Sequence, residues 1–156
     1  MKYKAFWKSV NDEKQVEFIE WDESAQDYYA FIKECIEQGF YQISITGEMM
    51  IGILSRIAYE NSILVANIEF MEDDCEENQQ INAIIAESNI NRGKLAKVID
   101  MLRYLEDEET VEIKRMTFME KDGESEFVQV NGLISASSSE AEFLQIVKKY
   151  IKEYIE

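Results

Sequence analysis

Aromatic and β-branched residues alternate with polar ones over residues 3–10 and again over residues 15–21. The run Asn-Asp-Glu-Lys separates these stretches, which predicts a β-hairpin with a four-residue loop. Ser24 is the predicted cap of a following helix, and Gly39 its stop signal. Between them, apolar residues recur at helical spacing at Tyr28, Phe31, Ile32, Cys35 and Ile36. Residues 1–39 are therefore expected to form a ββα unit.

The middle of the chain, residues 40–110, mixes strand and helix patterns. Residues 41–46 alternate and residues 62–70 are largely apolar, so both predict strands. Residues 47–58 carry an apolar helical stripe, although a run this short also fits a strand. Residues 71–80 predict a polar loop or a helix start, and residues 81–90 a short element of either type. A helix is predicted after Asn91, with one face formed by Leu95, Val98, Ile99, Leu102 and Leu105.

The last third, residues 111–156, repeats the plan of the first. Two strand patterns, 111–120 and 126–134, flank a Lys-Asp-Gly-Glu turn, and Ser137–Ser139 are candidate caps of a helix that continues to the end of the chain. We therefore expect one α+β domain over residues 1–156. Its mixed, mainly antiparallel sheet is expected to come from two terminal ββα units, with helices packed on it.

Composition supplies a core but little catalytic chemistry. Hydrophobic residues make up 46% of the chain, enough for a folded domain of this length. The chain has no histidine, which removes the commonest general base and the commonest zinc ligand. Its six glycines form no phosphate-binding loop. We therefore expect no enzyme activity and no cofactor. The first ten residues lack an apolar signal segment and no window predicts a membrane span, so we expect a cytoplasmic protein.

The net charge of −16 is the most unusual property of the chain, and its distribution is uneven. No Lys or Arg occurs between Arg56 and Arg92, a stretch with eight carboxylates. A second acidic run, residues 106–109 and 112, follows the helix predicted after Asn91. A charge of this sign excludes direct binding to nucleic acid or an anionic membrane, because phosphate recognition needs a basic face. It steers a basic protein partner instead.

These runs predict a partner-binding surface. Its expected members are Glu69, Glu72, Asp73, Asp74, Glu76, Glu77, Glu106, Asp107, Glu108 and Glu109. An exposed aromatic residue beside them, Trp21 or Tyr59, would supply an anchor that charge alone cannot. The remaining aromatic residues are expected in the core, in particular Phe18, Phe31, Phe118, Phe127 and Phe143.

Three functions fit the sequence. The first is an inhibitor whose carboxylates imitate phosphates in the basic groove of a nuclease or another nucleic-acid-binding effector, as an anti-defence or immunity protein would. The second is a generic adaptor or regulatory module, its acidity largely a solvated surface. The third is an enzyme that uses carboxylates and a metal ion, although the densest acidic run lacks the glycine and the final glutamate of a calcium loop. The sequence leaves the oligomeric state open.

Overall fold

The chain begins with a long hairpin, β1 (Lys2–Val10) and β2 (Glu13–Trp21). Asn11 and Asp12 form its turn with φ values of 52° and 65°, the left-handed region that short polar side chains tolerate. The loop has two residues instead of the predicted four because Glu13 pairs with Val10 inside the ladder. The computed structural model describes residues 1–59, 62–72, 76–88, 91–108, 112–120 and 123–155.

Within these ranges, five helices and five further strands follow the hairpin. They are α1 (Tyr28–Glu37), β3 (Tyr41–Gln42), α2 (Gly47–Ile57), β4 (Ile63–Phe70), α3 (Glu76–Ser88), α4 (Gly93–Asp107), β5 (Ile113–Glu120), β6 (Ser125–Gln129), β7 (Leu133–Ser135) and α5 (Glu142–Ile155). Residues 47–57, which fitted both a helix and a strand, are helical, and the Thr46 hydroxyl caps the helix by accepting from the Met49 amide. Of the element left undecided at 81–90, the described residues 81–88 belong to the 13-residue helix α3.

Two local predictions near α1 are wrong. The cap of α1 is Asp27, whose side chain accepts from the Ala30 amide at 2.9 Å, whereas Ser24 donates to Asp22 within the preceding turn. The predicted strand 41–46 is regular only over its first two residues. Beyond them, the amides of Ile43 and Ile45 donate to carbonyls of two different elements, at Ala5 and at Val130, so no single ladder forms.

The C-terminal third is not a copy of the N-terminal ββα unit, because its second predicted strand is broken. Gly132 has φ +86° and turns the chain between β6 and β7, so the described part of this third has the three strands β5, β6 and β7 before α5 instead of two. A Cβ at Gly132 would lie 2.7 Å from the Lys4 ammonium and would also meet the Ile43 carbonyl. The turn is therefore tight as well as left-handed, and both features favour glycine.

All the strands join one sheet in the order β2-β1-β7-β6-β5-β4, and β3 pairs with β1 beside β7. Every pairing among the described residues is antiparallel, whereas the predicted sheet was mixed, and with helices packed on this sheet the protein has the predicted α+β fold. One face of the sheet carries the main core, in which residues of α2, α3, α4 and α5 pack against the strands. Helix α1 packs on the other face, where Phe31, Ile32 and Cys35 form a second cluster with Phe6 of β1, and it also contacts β3.

Lys4 joins three elements at the centre of this arrangement. Its side chain is 1% exposed, and its ammonium donates to the carbonyls of Ile43, at 3.3 Å, and Asn131. Burial lowers the pKa of Lys4 to about 8. Two carbonyl dipoles partly replace the water that the ammonium lost. The lysine thus connects β1 to the segment after β3 and to the turn between β6 and β7.

Candidate protein-binding surface

The two acidic runs meet at one end of the molecule. Strand β4 ends where β5 begins, since Phe70 pairs with Ile113 and the Met71 amide donates to the Glu112 carbonyl at 2.9 Å. Helix α3 begins shortly after β4, and α4 ends shortly before β5. Residues about 30 apart in the sequence therefore share one surface. We call it the acidic end, and its described members are Glu72, Glu76, Glu77, Glu106, Asp107, Glu108 and Glu112.

Most of the predicted binding residues lie at the acidic end. Glu72, Glu76, Asp107 and Glu108 are exposed, and Glu77 and Glu106 are half-buried. Glu69 differs, because it lies 3.7 Å from the Arg115 side chain in the neighbouring strand. Its side chain lies on the face of the sheet opposite the main core, which we call the open face, and not at the acidic end. The predicted residues Asp73, Asp74 and Glu109 lie outside the described residues.

Helix α3 is held in place by Asn82, which imitates a residue of a neighbouring strand. Its side-chain amide donates to the Ile68 carbonyl and its side-chain oxygen accepts from the Ile68 amide, both at 2.9 Å. Ile68 lies in β4, the edge strand of the sheet. The two bonds pair the backbone amide and carbonyl of Ile68, which would otherwise be unpaired at the edge of the sheet, and they fix the position of α3 against β4.

Glu106 links the acidic end to α2. Its carboxylate rests on Gly47, the first residue of that helix, where a Cβ would lie 2.8 Å from the Glu106 Cδ. The N-terminus of a helix favours a nearby anion, so the position suits this carboxylate. Beside it, α2, α4 and α5 enclose a polar cleft of about 400 Å³ whose walls include Glu48, Arg103 and Tyr150.

A second cleft, of about 310 Å³, lies between α3 and α4. We call it the α3–α4 groove, and its main lining residues are Ile81, Met101, Leu105, Tyr104, Glu77 and Asp100. Tyr104 is 65% exposed and sits in the last two turns of α4, beside the acidic end. Tyr104 was not among the aromatic anchors predicted from the sequence. The available signal was an aromatic residue outside the apolar stripe of α4.

Neither predicted anchor lies at the acidic end. Trp21 is half-buried against Phe31 and Tyr28, and its indole donates to the Gln26 carbonyl at 2.9 Å. Tyr59 is 87% exposed, but it follows the C-terminus of α2, whereas Glu106 contacts the N-terminus. Tyr59 and the Glu106 contact are therefore separated by the length of α2, roughly 18 Å at 1.5 Å per residue.

The predicted core aromatics are mostly confirmed. Phe31, Phe118 and Phe143 are buried, and Phe18 is partly buried against the main core. Phe127 is the exception. It lies on the open face of the sheet, with the Arg115 guanidinium 4.3 Å from its ring centroid in a cation–π contact. The two residues are in different strands, so the pattern of either strand alone does not predict this contact.

Among the described residues, no three Cys, Asp or Glu side chains are arranged so that they could hold a metal ion. Within the same ranges, no helix has the length and apolar character needed to cross a membrane. The chain matches no protein-family model, no curated protein and no solved structure.

Proposed function

We propose that this protein is an inhibitor that binds a basic protein through the acidic end. The partner would be a nuclease or another nucleic-acid-binding effector, and the carboxylates would occupy its basic groove in place of phosphates. The observation that carries the proposal is the convergence of two acidic runs on one surface of the fold.

The position of the second run strengthens the argument. Glu106 and Asp107 lie in the last turn of α4, Glu108 caps that helix, and no basic residue occurs in that turn. The C-terminus of a helix carries a partial negative charge, so carboxylates there reduce the stability of the helix. The N-terminus of α2 compensates Glu106, but a surface selected only for solubility has no comparable reason to place Asp107 and Glu108 at this point. A binding surface does, because clustered charge speeds the encounter with a basic partner.

The competing proposal is a generic adaptor or regulatory module. In that case the acidity would be a solvated property of the whole surface, and exposed carboxylates elsewhere, such as Glu13, Glu20 and Glu37, would matter equally. In either case we propose a cytoplasmic location. The buried, unpaired thiol of Cys35 is compatible with that compartment.

A charge-matched pair of variants separates the two proposals. The test variant carries Glu72→Gln, Glu76→Gln, Asp107→Asn and Glu108→Gln. The control carries Glu13→Gln, Glu20→Gln, Glu37→Gln and Glu140→Gln, four exposed sites on other elements. Each protein is immobilised, exposed to lysate of the native host and eluted with increasing salt, and the captured partner is then measured by surface plasmon resonance.

The inhibitor proposal expects the test variant to associate at least about tenfold more slowly and with a weaker dependence on salt, while the control stays within about twofold of the wild type. The captured protein should also bind nucleic acid, and the wild type should compete with that binding. Equal effects of the two variants would favour the adaptor. Unchanged binding by the test variant would exclude the acidic end as the interface.

A further inference from the structure

The α3–α4 groove has walls of two kinds. Its interior is apolar, formed by the buried Ile81 of α3 and by Met101 and Leu105 of α4, both half-buried. Two carboxylates line it, Glu77 from α3 and Asp100 from α4. A groove with an apolar interior and one acidic group on each helix is complementary to a long side chain that has an apolar stem and a cationic head.

The surroundings of the groove fit the same occupant. The exposed ring of Tyr104 lines it and is available to a cation. Two cations flank Asp100 on α4. The Arg103 guanidinium donates to the Ser55 hydroxyl of α2 at 3.4 Å, away from α3, and Lys97 interacts with Glu87 at the C-terminal end of α3. The volume of about 310 Å³ is near the lower limit for a small-molecule pocket, which suits one side chain better than a larger ligand.

We propose that the α3–α4 groove receives one arginine side chain of the basic partner. The methylene stem would pack on Ile81, Met101 and Leu105, and the guanidinium would lie against Tyr104 and bond to Glu77 and Asp100. Arginine suits the site better than lysine, because its planar fork bonds to carboxylates with two hydrogens and stacks on aromatic rings. This inference rests on the proposed function, since it supplies the anchor that the acidic end needs for a tight complex.

The experiment uses the full chain with ¹³C-labelled methyl groups and N-acetylarginine amide as the probe. We expect saturable shifts of the Met101, Ile81 and Leu105 methyl signals, with a dissociation constant on the order of millimolar for so small a probe. The citrulline analogue has the same shape without the charge and should cause no shift of these signals. The lysine analogue should shift them several-fold more weakly.

Two variants show which carboxylates hold the probe. Glu77→Gln with Asp100→Asn should weaken its binding roughly tenfold, because two charge-assisted hydrogen bonds are lost. The variant Glu72→Gln, Glu76→Gln, Asp107→Asn and Glu108→Gln, which keeps both lining carboxylates, should weaken it less than about threefold. The inference would be overturned if the citrulline analogue shifted these signals as much as the arginine probe does. It would also be overturned if the Glu77/Asp100 variant bound the arginine probe as tightly as the wild type.

Failure of this inference is distinguishable from failure of the proposed function. If the Glu77/Asp100 variant and the wild type bind the captured partner equally well, while the variant of the four exposed carboxylates does not, the groove is not the anchor and the acidic end is still the interface. If instead the groove binds the arginine probe but the four-carboxylate variant captures the partner normally, the proposed function fails.

Discussion

The ring of Tyr150 lies directly on Gly52, so that helices α2 and α5 approach closely at this point. A Cβ at Gly52 would be 2.6 Å from the Cε2 atom of Tyr150. Glycine in the middle of a helix costs about 0.5–1 kcal/mol relative to alanine, so its presence here needs a reason, and the packed ring supplies one.

Gly52→Ala is expected to lower the free energy of unfolding by about 1–3 kcal/mol, because the aromatic ring must move out of a packed position. In a Tyr150→Ala background the same substitution should be neutral or stabilising, since only the helix propensity then counts. Urea unfolding of the four proteins in this double-mutant cycle measures the coupling. A cost that persists without the Tyr150 ring would contradict the contact.

Gly132 and Gly123 form a natural comparison for the turn between β6 and β7. Both have positive φ, +86° and +88°, but a Cβ at Gly123 would meet nothing within 4 Å. Gly123→Ala should therefore cost only the backbone strain, about 1 kcal/mol. Gly132→Ala should cost at least about 2 kcal/mol more, because the Cβ also meets Lys4 and the Ile43 carbonyl. Thermal and urea unfolding of both variants test this difference.

The buried ammonium of Lys4 predicts an unusual dependence of stability on pH. Its pKa is about 8 in the folded protein against 10.5 in the unfolded chain, so between these values the unfolded chain holds a proton that the folded protein has released. Stability contributed by Lys4 therefore rises with pH through this window, by about 3 kcal/mol at most. Below about pH 8 both states are protonated and its contribution is constant.

Other groups act in the opposite direction, so the measurement must be a difference. Burial raises the pKa of the Cys35 thiol and of the Tyr150 hydroxyl, and stability is lost as these groups ionise at high pH. Lys4→Met keeps them and removes the ammonium. The unfolding free energy of the wild type minus that of Lys4→Met should rise between about pH 8 and about pH 10. A flat difference would show that the Lys4 ammonium is solvated.

Asn82→Asp tests the attachment of α3 to the edge strand. Aspartate keeps the bond from the Ile68 amide but cannot donate to the Ile68 carbonyl, so the variant should lose about 1–3 kcal/mol. Hydrogen exchange should increase in α3 and at the outer edge of β4, while β1 and β2 stay protected. Asn82→Ala is the companion variant, because it removes both bonds to Ile68 without placing a carboxylate against the Ile68 carbonyl. Equal protection in all three proteins would contradict the role assigned to Asn82.

The acidic end should make stability sensitive to salt. Raising the ionic strength to about 0.5 M screens exposed charges and should increase the unfolding free energy of the wild type. The variant Glu72→Gln, Glu76→Gln, Asp107→Asn and Glu108→Gln should show a smaller increase than the variant Glu13→Gln, Glu20→Gln, Glu37→Gln and Glu140→Gln. If the salt-dependent increase in unfolding free energy is reduced equally in both variants, the repulsion is spread evenly over the surface.

Sequence patterns predicted those parts of the fold that depend on local periodicity. The long hairpin, α4 and β4 follow directly from the spacing of their apolar residues. The break between β6 and β7 was missed because it depends on Lys4 and Ile43, which are distant in the sequence. No window centred on Gly132 contains that information.

The acidic end was also predicted from the sequence only in part. Its charged residues are visible in the sequence, because undiluted runs of one sign are a local property. Their meeting at one surface depends on the pairing of Phe70 with Ile113, which is a tertiary contact. Tyr104 and the α3–α4 groove appear only when the two helices are packed side by side.

The position of β1 in the sheet constrains how the protein is made. β1 lies between β2 and β7, and the bond from the Met1 amino group to the Ala136 carbonyl spans 135 residues. β3 can pair with the Phe6–Trp7 part of this edge early, but the Lys2–Lys4 part must wait until β7 (Leu133–Ser135) has been synthesised. Folding dominated by such distant contacts is slow, and open strand edges promote aggregation meanwhile. The net charge of −16 then keeps neighbouring unfinished chains apart, a benefit that does not depend on any partner.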